Sequence, residues 1–270
     1  MGQIVGAFAM SHQLGSPEGV EDQSERVFQG MREVGRRIRA LDPDLIVMIT
    51  SDHLNNFSLA SPAPFAVGTA AEFTPCGDMG LPRDPFPGHP AFAEDLIGFA
   101  RGEDLGIARA DPLQPDHGAM IPLGIVDPDR TIPAVPLYVN TVFYPHPTPA
   151  ESYRLGGVLR DFVGAGRPQG EKVVLLAGGG LSHWVGMPQE GVINETWDRA
   201  FLGDVLAGRG QALAGLDNSE ILEVAGNGGL EVAAWIALAG AVPGAKGEEI
   251  FYEPMPSWAT GMAGIELEVA

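Results

Sequence analysis

Continuously apolar segments alternate with amphipathic ones along this 270-residue chain. Residues 4–9 and 45–50 (LIVMIT) are short and apolar throughout, as in strands that are covered on both faces. Between them, residues 22–41 place apolar side chains at helical spacing. The pattern therefore indicates a strand–helix–strand unit, the building block of an α/β sheet.

The same alternation continues toward the C-terminus. Residues 57–68 are expected to form irregular or edge strands because Pro62 and Pro64 would interrupt a central ladder, and residues 72–90 are expected to form a long loop. Further strands are predicted at 105–110, 133–139, 172–177, 248–253 and 263–269, and helices at 91–101, 150–163 and over much of 194–240. We therefore predict an α/β fold, with a central, largely parallel or mixed sheet flanked by helices, in a single domain spanning residues 1–270.

Composition excludes several classes of function. Asp and Glu outnumber Lys and Arg 35 to 16, and the net charge of -19 disfavours binding to nucleic acid or to an anionic membrane. Cys76 is the single cysteine, which excludes an intrachain disulfide and a Cys-rich zinc site. The chain has no run of ~18 apolar residues and no basic leader, so a cytoplasmic protein is expected. GLSHW lacks the second glycine of a nucleophile elbow, and no Walker motif is present.

Histidines mark the ends of several predicted strands. His12, His53 and His183 each follow an apolar strand, and His117 lies in a loop that precedes another apolar segment. Ligands and catalytic groups of α/β sheets gather beyond the carboxyl ends of the strands. Any one of these histidines alone could be an isolated loop residue, but together they indicate one site.

Glu231 lies in GLEVAAWIALAGA, which is predicted to be an almost wholly apolar helix. A carboxylate buried there is costly unless it is paired or bound to a metal. The alternative is an exposed position at the helix start, where the helix dipole would favour it. Two histidines and a carboxylate form the facial triad of Fe(II) oxygenases, but they can also hold catalytic zinc, and composition does not decide between the two metals.

The order of these motifs is informative as a set. Along nearly the whole chain occur AMSHQLGSP, SDHLNNF, DHGAMIPL, GGGLSHW, GNGGLEVAAW and PMPSWATGM. In this order they resemble the class III extradiol ring-cleavage dioxygenases, the superfamily of the protocatechuate 4,5-dioxygenase β subunit and of 2,3-dihydroxyphenylpropionate dioxygenase. The resemblance implies a single catalytic domain in which His12, His53 and Glu231 bind Fe(II). It also implies that His183 is the acid–base residue and that His117 is a second catalytic group near the substrate hydroxyls.

The resemblance also implies a reaction and partners. The substrates would be O2 and a catechol-type or aminophenol-type aromatic, which is opened to a semialdehyde. We expect a homo-oligomer, with a separate small α subunit as a possible addition. Two alternatives stay open: a non-catalytic homologue that acts as a binding module, and a zinc-dependent hydrolase.

Substrate substituents are expected to contact the loops at 13–21, 54–88 and 140–150. Arg83, in the second of these, could pair with a substrate carboxylate, although a surface position is the simpler interpretation. His89 and His146 lie next to prolines and are expected to be solvated loop residues.

Overall fold

Eight strands form one mixed sheet in the computed structural model, which describes residues 1–59 and 62–269. The strands of the described chain are β1 (Gln3–Met10), β2 (Leu45–Thr50), β3 (Phe65–Gly68), β4 (Glu72–Phe73), β5 (Phe86–Pro87), β6 (Ala108–Ala110), β7 (Ala134–Val139), β8 (Lys172–Gly178), β9 (Gly247–Met255) and β10 (Thr260–Leu267). In space the large sheet runs β6-β3-β7-β2-β8-β1-β10-β9, and β4 pairs separately with β5.

The centre of the sheet is parallel. Strands β7, β2, β8 and β1 pair in parallel, whereas β3 joins β7, β10 joins β1 and β9 joins β10 in antiparallel fashion. The continuously apolar runs of the sequence are these central strands, whose residues are buried on both faces. The prediction of an α/β fold with a mixed sheet is confirmed.

Helices cover both faces of the sheet. They are α1 (Glu21–Ala40), α2 (Pro90–Gly102), α3 (His117–Val126), α4 (Pro149–Gly166), α5 (Glu195–Leu206), α6 (Gly210–Ala214), α7 (Asn218–Ala225) and α8 (Val232–Ala241). Helices α1 and α3 contribute to the apolar core on one face, and α2, α4, α5 and α8 contribute to the core on the other. Within the described residues, no helix is both long enough and apolar enough to cross a membrane.

Two elements differ from the sequence prediction. His117 begins a helix instead of lying in a loop, because the Asp116 side chain caps α3 by accepting a hydrogen bond from the Gly118 N–H. Glu231 precedes α8 in a 3-10 turn, Gly228–Glu231, instead of lying within the helix. The segment 57–68 was predicted to form irregular or edge strands. Among its described residues only Phe65–Gly68 (β3) form a strand, and residues 60 and 61 lie outside the described part of the chain.

Helices α4 and α8 approach so closely at Gly156 that a side chain there has no room. A Cβ added at Gly156 would overlap the carbonyl oxygen of Ala237. Because the obstacle is backbone, we expect Gly156→Ala to lower the free energy of unfolding by ~1–3 kcal/mol, measured by urea denaturation. Gly157→Ala is the matched control, since a Cβ at Gly157 meets no atom within 4 Å and should stabilise the helix by up to ~1 kcal/mol. Equal effects of the two variants would contradict the packing argument.

Candidate active site

The carboxyl ends of β1, β2 and β8, which are neighbours in the sheet, bring the sequence-predicted histidines together. The His12 ring centroid lies 5.1 Å from that of His53 and 5.6 Å from that of His117. The His53 and His117 rings are 4.1 Å apart. One ring nitrogen from each of the three lies within 4.8 Å of the others, so the cluster could hold a metal ion.

Glu231 is buried beside this cluster, with only 5% of its surface exposed. Its Oε1 lies 2.8 Å from His53 Nε2, and its Oε2 lies 3.4 Å from His12 Nε2 and 4.0 Å from His183 Nε2. The Gly180 N–H also donates to Oε2 at 2.8 Å. The expectation of a buried, paired carboxylate is confirmed, and the exposed alternative is wrong.

Charge within the cluster is distributed unequally. Burial lowers the pKa of His12, so its imidazole is neutral at neutral pH. Burial also opposes protonation of His53, but its hydrogen bonds to the Asp116 and Glu231 carboxylates outweigh that cost and raise its pKa to about 10. For Glu231, burial favours the neutral acid, yet His12 and His53 hold its pKa well below the usual value. The site therefore presents an ionised carboxylate beside one neutral and one protonated imidazole.

Asp116 is a site residue that the sequence analysis missed. Its Oδ2 accepts hydrogen bonds from the backbone N–H of His53 at 2.7 Å and from His53 Nδ1 at 3.3 Å. This contact turns His53 Nε2 toward Glu231, as carboxylates do for metal-binding histidines. Asp78 plays a similar part for His117, with 2.5 Å between Asp78 Oδ2 and His117 Nδ1. The DHG motif contains Asp116, so its position next to a candidate histidine was the available signal.

His183 is held by its own loop and by the turn before α8. Its Nδ1–H donates to the Leu181 carbonyl at 3.0 Å, which leaves Nε2 to face the cluster. Its backbone N–H donates to the Ala225 carbonyl at 2.8 Å. A Cβ at Gly228 would overlap the imidazole, so this glycine allows the turn to lie against the ring. The GNGG segment therefore positions a histidine.

A cavity of about 710 Å³ opens above the cluster. The three loops expected to contact substrate all line this cavity. Loop 13–21 contributes Gln13, loop 54–88 contributes Leu54 and Met79, and loop 140–150 contributes Thr141 and Val142. Three contributions were not predicted: the loop after His183, helix α7 and the segment before β10, which supply Trp184, Leu222 and Trp258.

The two remaining histidines lie outside the helices and strands, as expected, but each is half-buried and makes a contact that the sequence did not predict. His146 is half-buried and lines the cavity. His89 caps helix α2, where its Nδ1 accepts a hydrogen bond from the Phe92 N–H. Arg83 is exposed and does not line the cavity, in agreement with the simpler interpretation of a surface residue.

The donors in the cluster suit a metal ion. Within the described residues, His12 Nδ1 is buried without a hydrogen-bond partner, and the opposite ring nitrogen faces Glu231. Two sets of three ligands are available. One is His12, His53 and Glu231, and the other replaces the carboxylate with His117.

Comparison with known proteins identifies the family. Residues 6–263 match the family described as the catalytic LigB subunit of aromatic ring-opening dioxygenase. The chain belongs to this family. Membership confirms the resemblance to ring-cleavage dioxygenases and assigns the chain to the dioxygenases, in preference to the hydrolase and binding-module alternatives.

Relatives of this LigB-family chain are named for one reaction. The chain is 29% identical to the 2,3-dihydroxyphenylpropionate/2,3-dihydroxicinnamic acid 1,2-dioxygenase of Mycolicibacterium gilvum, over 94% of this chain and 95% of the relative. It is 27% identical to the enzyme of the same name from Photorhabdus laumondii, over 93% and 92% of the two chains. A crystal structure of an uncharacterized protein from Escherichia coli K12 has the same fold, with a TM-score of 0.64 at 18% identity and coverage of 97% and 99%.

The charge distribution predicts proton release when a metal binds. A metal ligand must be a neutral imidazole, whereas His53 in the metal-free protein is protonated below its pKa of about 10. We therefore expect about one proton to leave per metal ion at pH 7.5, and affinity to rise about tenfold per pH unit until the pH reaches that pKa. Anaerobic calorimetry with Fe(II) in two buffers of different protonation enthalpy measures the proton directly.

Asp116→Asn provides the control for this experiment. The amide removes one of the two carboxylates that hold the proton on His53, so less proton should be released at pH 7.5. Metal affinity should depend less steeply on pH in this variant, because a more weakly held proton competes less with the metal. At high pH, where that competition is absent, affinity should fall by ~10–100-fold, because the partner that orients His53 is weakened. Binding without proton release in the unsubstituted protein would show that His53 is not a ligand.

Proposed function

We propose that this chain is an Fe(II)-dependent extradiol dioxygenase, in which residues 1–270 act as one catalytic domain on a catechol-type or aminophenol-type ring and O2. The observation that carries the proposal is the contact of the buried Glu231 carboxylate with two imidazoles, those of His12 and His53, on the floor of a large cavity. We assign these three residues as the iron ligands.

The ligand chemistry supports iron. Two histidines and one carboxylate, with positions left open for substrate and O2, are typical of non-haem Fe(II) oxygenases. Catalytic zinc accepts three histidines or this same set of two histidines and a carboxylate, but zinc has no redox chemistry, so the dioxygenase family favours iron. A site of three histidines would require His117 as the third ligand. The Glu231 carboxylate contacts both other candidate ligands, at 2.8 Å from His53 Nε2 and 3.4 Å from His12 Nε2, and its negative charge suits a divalent cation. The carboxylate set therefore has the stronger support.

Iron bound here would supply positive charge that lowers the pKa of a phenol hydroxyl, together with a site for O2. The chain's own residues supply the rest of the chemistry. His183 Nε2 faces the cluster and can accept a phenol proton and return it later in the reaction. The His117 ring lies 5.6 Å from that of His12 and lines the cavity, so it could donate a hydrogen bond to the second ring oxygen of the substrate. We assign His183 as the acid–base residue and His117 as the second catalytic group.

Oxygen uptake under controlled metal loading tests this proposal. Protein purified anaerobically and loaded with Fe(II) is mixed with catechol, protocatechuate, gallate, 2,3-dihydroxyphenylpropionate or 2-aminophenol. We expect O2 consumption equal to the substrate consumed, with a new yellow product absorbing in the near-UV and visible range. Zn(II)-loaded protein is the control and should be inactive.

Two outcomes have different meanings. Iron that binds without turnover of any ring would indicate a missing small α subunit, which co-purification from the native host would identify. Failure to bind iron would contradict the ligand assignment itself. Gel filtration in the same preparation measures the homo-oligomer that we propose.

A further inference from the structure

The cavity wall contains no permanent positive charge. None of the 16 Lys and Arg residues lines it, and all 16 lie within the described part of the chain. Its titratable lining groups are five histidines and two glutamates. Four of the histidines form the cluster on the floor, so His146 alone remains for the rest of the wall.

Two negatively charged side chains line the cavity. Glu231 lies on the floor, and Glu190 lines the wall on an exposed loop, where its Oε2 accepts a hydrogen bond from the Gly186 N–H at 3.2 Å. A substrate carboxylate would be repelled by Glu190 and would have no guanidinium or ammonium partner, and burying an unpaired charge is costly. Proteins that recognise carboxylates usually supply an arginine for them.

The outer wall is apolar instead. Large aliphatic side chains from four separate segments lie around the opening and are left in contact with water: Leu54 is 66% exposed, Met79 51%, Val185 60% and Leu222 38%. Single exposed apolar residues are common, but a group of them around one cavity marks a binding surface. The indole rings of Trp184 and Trp258 also line the cavity.

The size of the cavity leaves room for a ring substituent in this outer part. Ligand cavities typically measure ~300–1,000 Å³, and this one, at about 710 Å³, is much larger than a single ring bound at the cluster. The space between the floor and the apolar opening is therefore available to a group attached to the ring.

We propose that the preferred substrate is a catechol whose ring substituent is uncharged and apolar, an alkyl or aryl group that extends from the metal site to the opening. This inference rests on the proposed function. It separates the chain from the relatives described above, which are named for 2,3-dihydroxyphenylpropionate, a carboxylate.

A carboxylic acid and its uncharged methyl ester form the pair of ligands that tests the inference. The Fe(II)-loaded enzyme is assayed with 2,3-dihydroxyphenylpropionate, its methyl ester and unsubstituted catechol. We expect kcat/KM for the ester to exceed that for the acid by about tenfold or more, because only the acid places a charge near Glu190. Catechol should be a poorer substrate than the ester, since it leaves the apolar wall uncovered. Equal or higher kcat/KM for the acid would overturn the inference, whereas failure of the protein to bind Fe(II) would contradict the ligand assignment of the proposed function.

A binding measurement separates recognition from catalysis. Because Trp184 and Trp258 line the cavity, binding to the metal-free protein can be followed by tryptophan fluorescence. The ester should bind more tightly than the acid here as well. Preference for the acid in this metal-free titration would contradict the inference even if the enzyme were inactive.

Glu190→Gln and Glu223→Gln form a matched pair of variants. Both remove one negative charge from an exposed glutamate, but only Glu190 lines the cavity. Glu190→Gln should lower the ester-to-acid ratio severalfold, and Glu190→Arg should lower it further by pairing with the acid. Glu223→Gln should leave the ratio unchanged. An equal change in both glutamine variants would show that net charge, and not the cavity wall, determines the preference.

Discussion

Glu231→Gln is expected to eliminate ring cleavage and to weaken Fe(II) binding by more than the ~10–100-fold that loss of an orienting partner costs. The amide keeps the size of the side chain and can still form a hydrogen bond, but it removes the negative charge that Glu231 places beside His12 and His53. Anaerobic titration with Fe(II), followed by metal analysis after desalting, measures the loss.

His117→Ala tests the competing set of ligands. If the carboxylate is the third ligand, this variant should bind Fe(II) nearly as well as the unsubstituted protein and lose only turnover. If the three histidines hold the metal, His117→Ala should lose the metal and Glu231→Gln should retain it. The two variants therefore have opposite outcomes under the two assignments, and circular dichroism of both checks that they fold.

His183→Ala should retain iron but lower kcat by ~10²–10⁴-fold, the usual contribution of a positioned acid–base group. Its Nε2 lies 4.0 Å from Glu231 Oε2 and faces the cluster. The ring is held by the hydrogen bond from Nδ1 to the Leu181 carbonyl, and it packs against Gly228. Steady-state O2 uptake at saturating substrate gives kcat, and metal analysis of the same sample gives the iron content.

The matched control is His146→Ala, which removes another imidazole from the cavity wall. Because His146 lies apart from the metal cluster, its loss should alter KM more than kcat. A similar fall in kcat for both variants would argue against a specific proton-transfer role for His183, and loss of iron in His183→Ala would make it a ligand.

Much of the fold could be predicted because the central strands are covered on both faces. Their apolar runs are unbroken, so β1, β2, β7 and β8 are recognisable without any knowledge of their neighbours. Helix α3 was missed because burial removes the pattern by which a helix is recognised. It is buried on nearly every side and contains Pro122, so it has neither an amphipathic period nor an uninterrupted helical sequence.

The candidate site was predictable where chemistry and topology coincide. Histidines at strand ends are few, and the carboxyl edge of a parallel sheet gathers them. Asp78 is different, because the chain has 35 acidic residues and only the fold shows that this one lies against His117. For Asp116 the sequence shows its place beside His117, but only the fold shows its contact with His53. The cavity wall combines distant segments around Leu54, Trp184 and Leu222, and no local pattern relates them.

The position of β1 in the sheet has a consequence for synthesis on the ribosome. This eight-residue strand, QIVGAFAM, is synthesised before both of its partners, β8 and β10, which end at Gly178 and Leu267. Until β8 is made, the nascent chain therefore carries an apolar strand with both edges unpaired, a segment prone to intermolecular association. His12 follows that strand, so the metal centre can close only after β1 has entered the gap between two strands made much later.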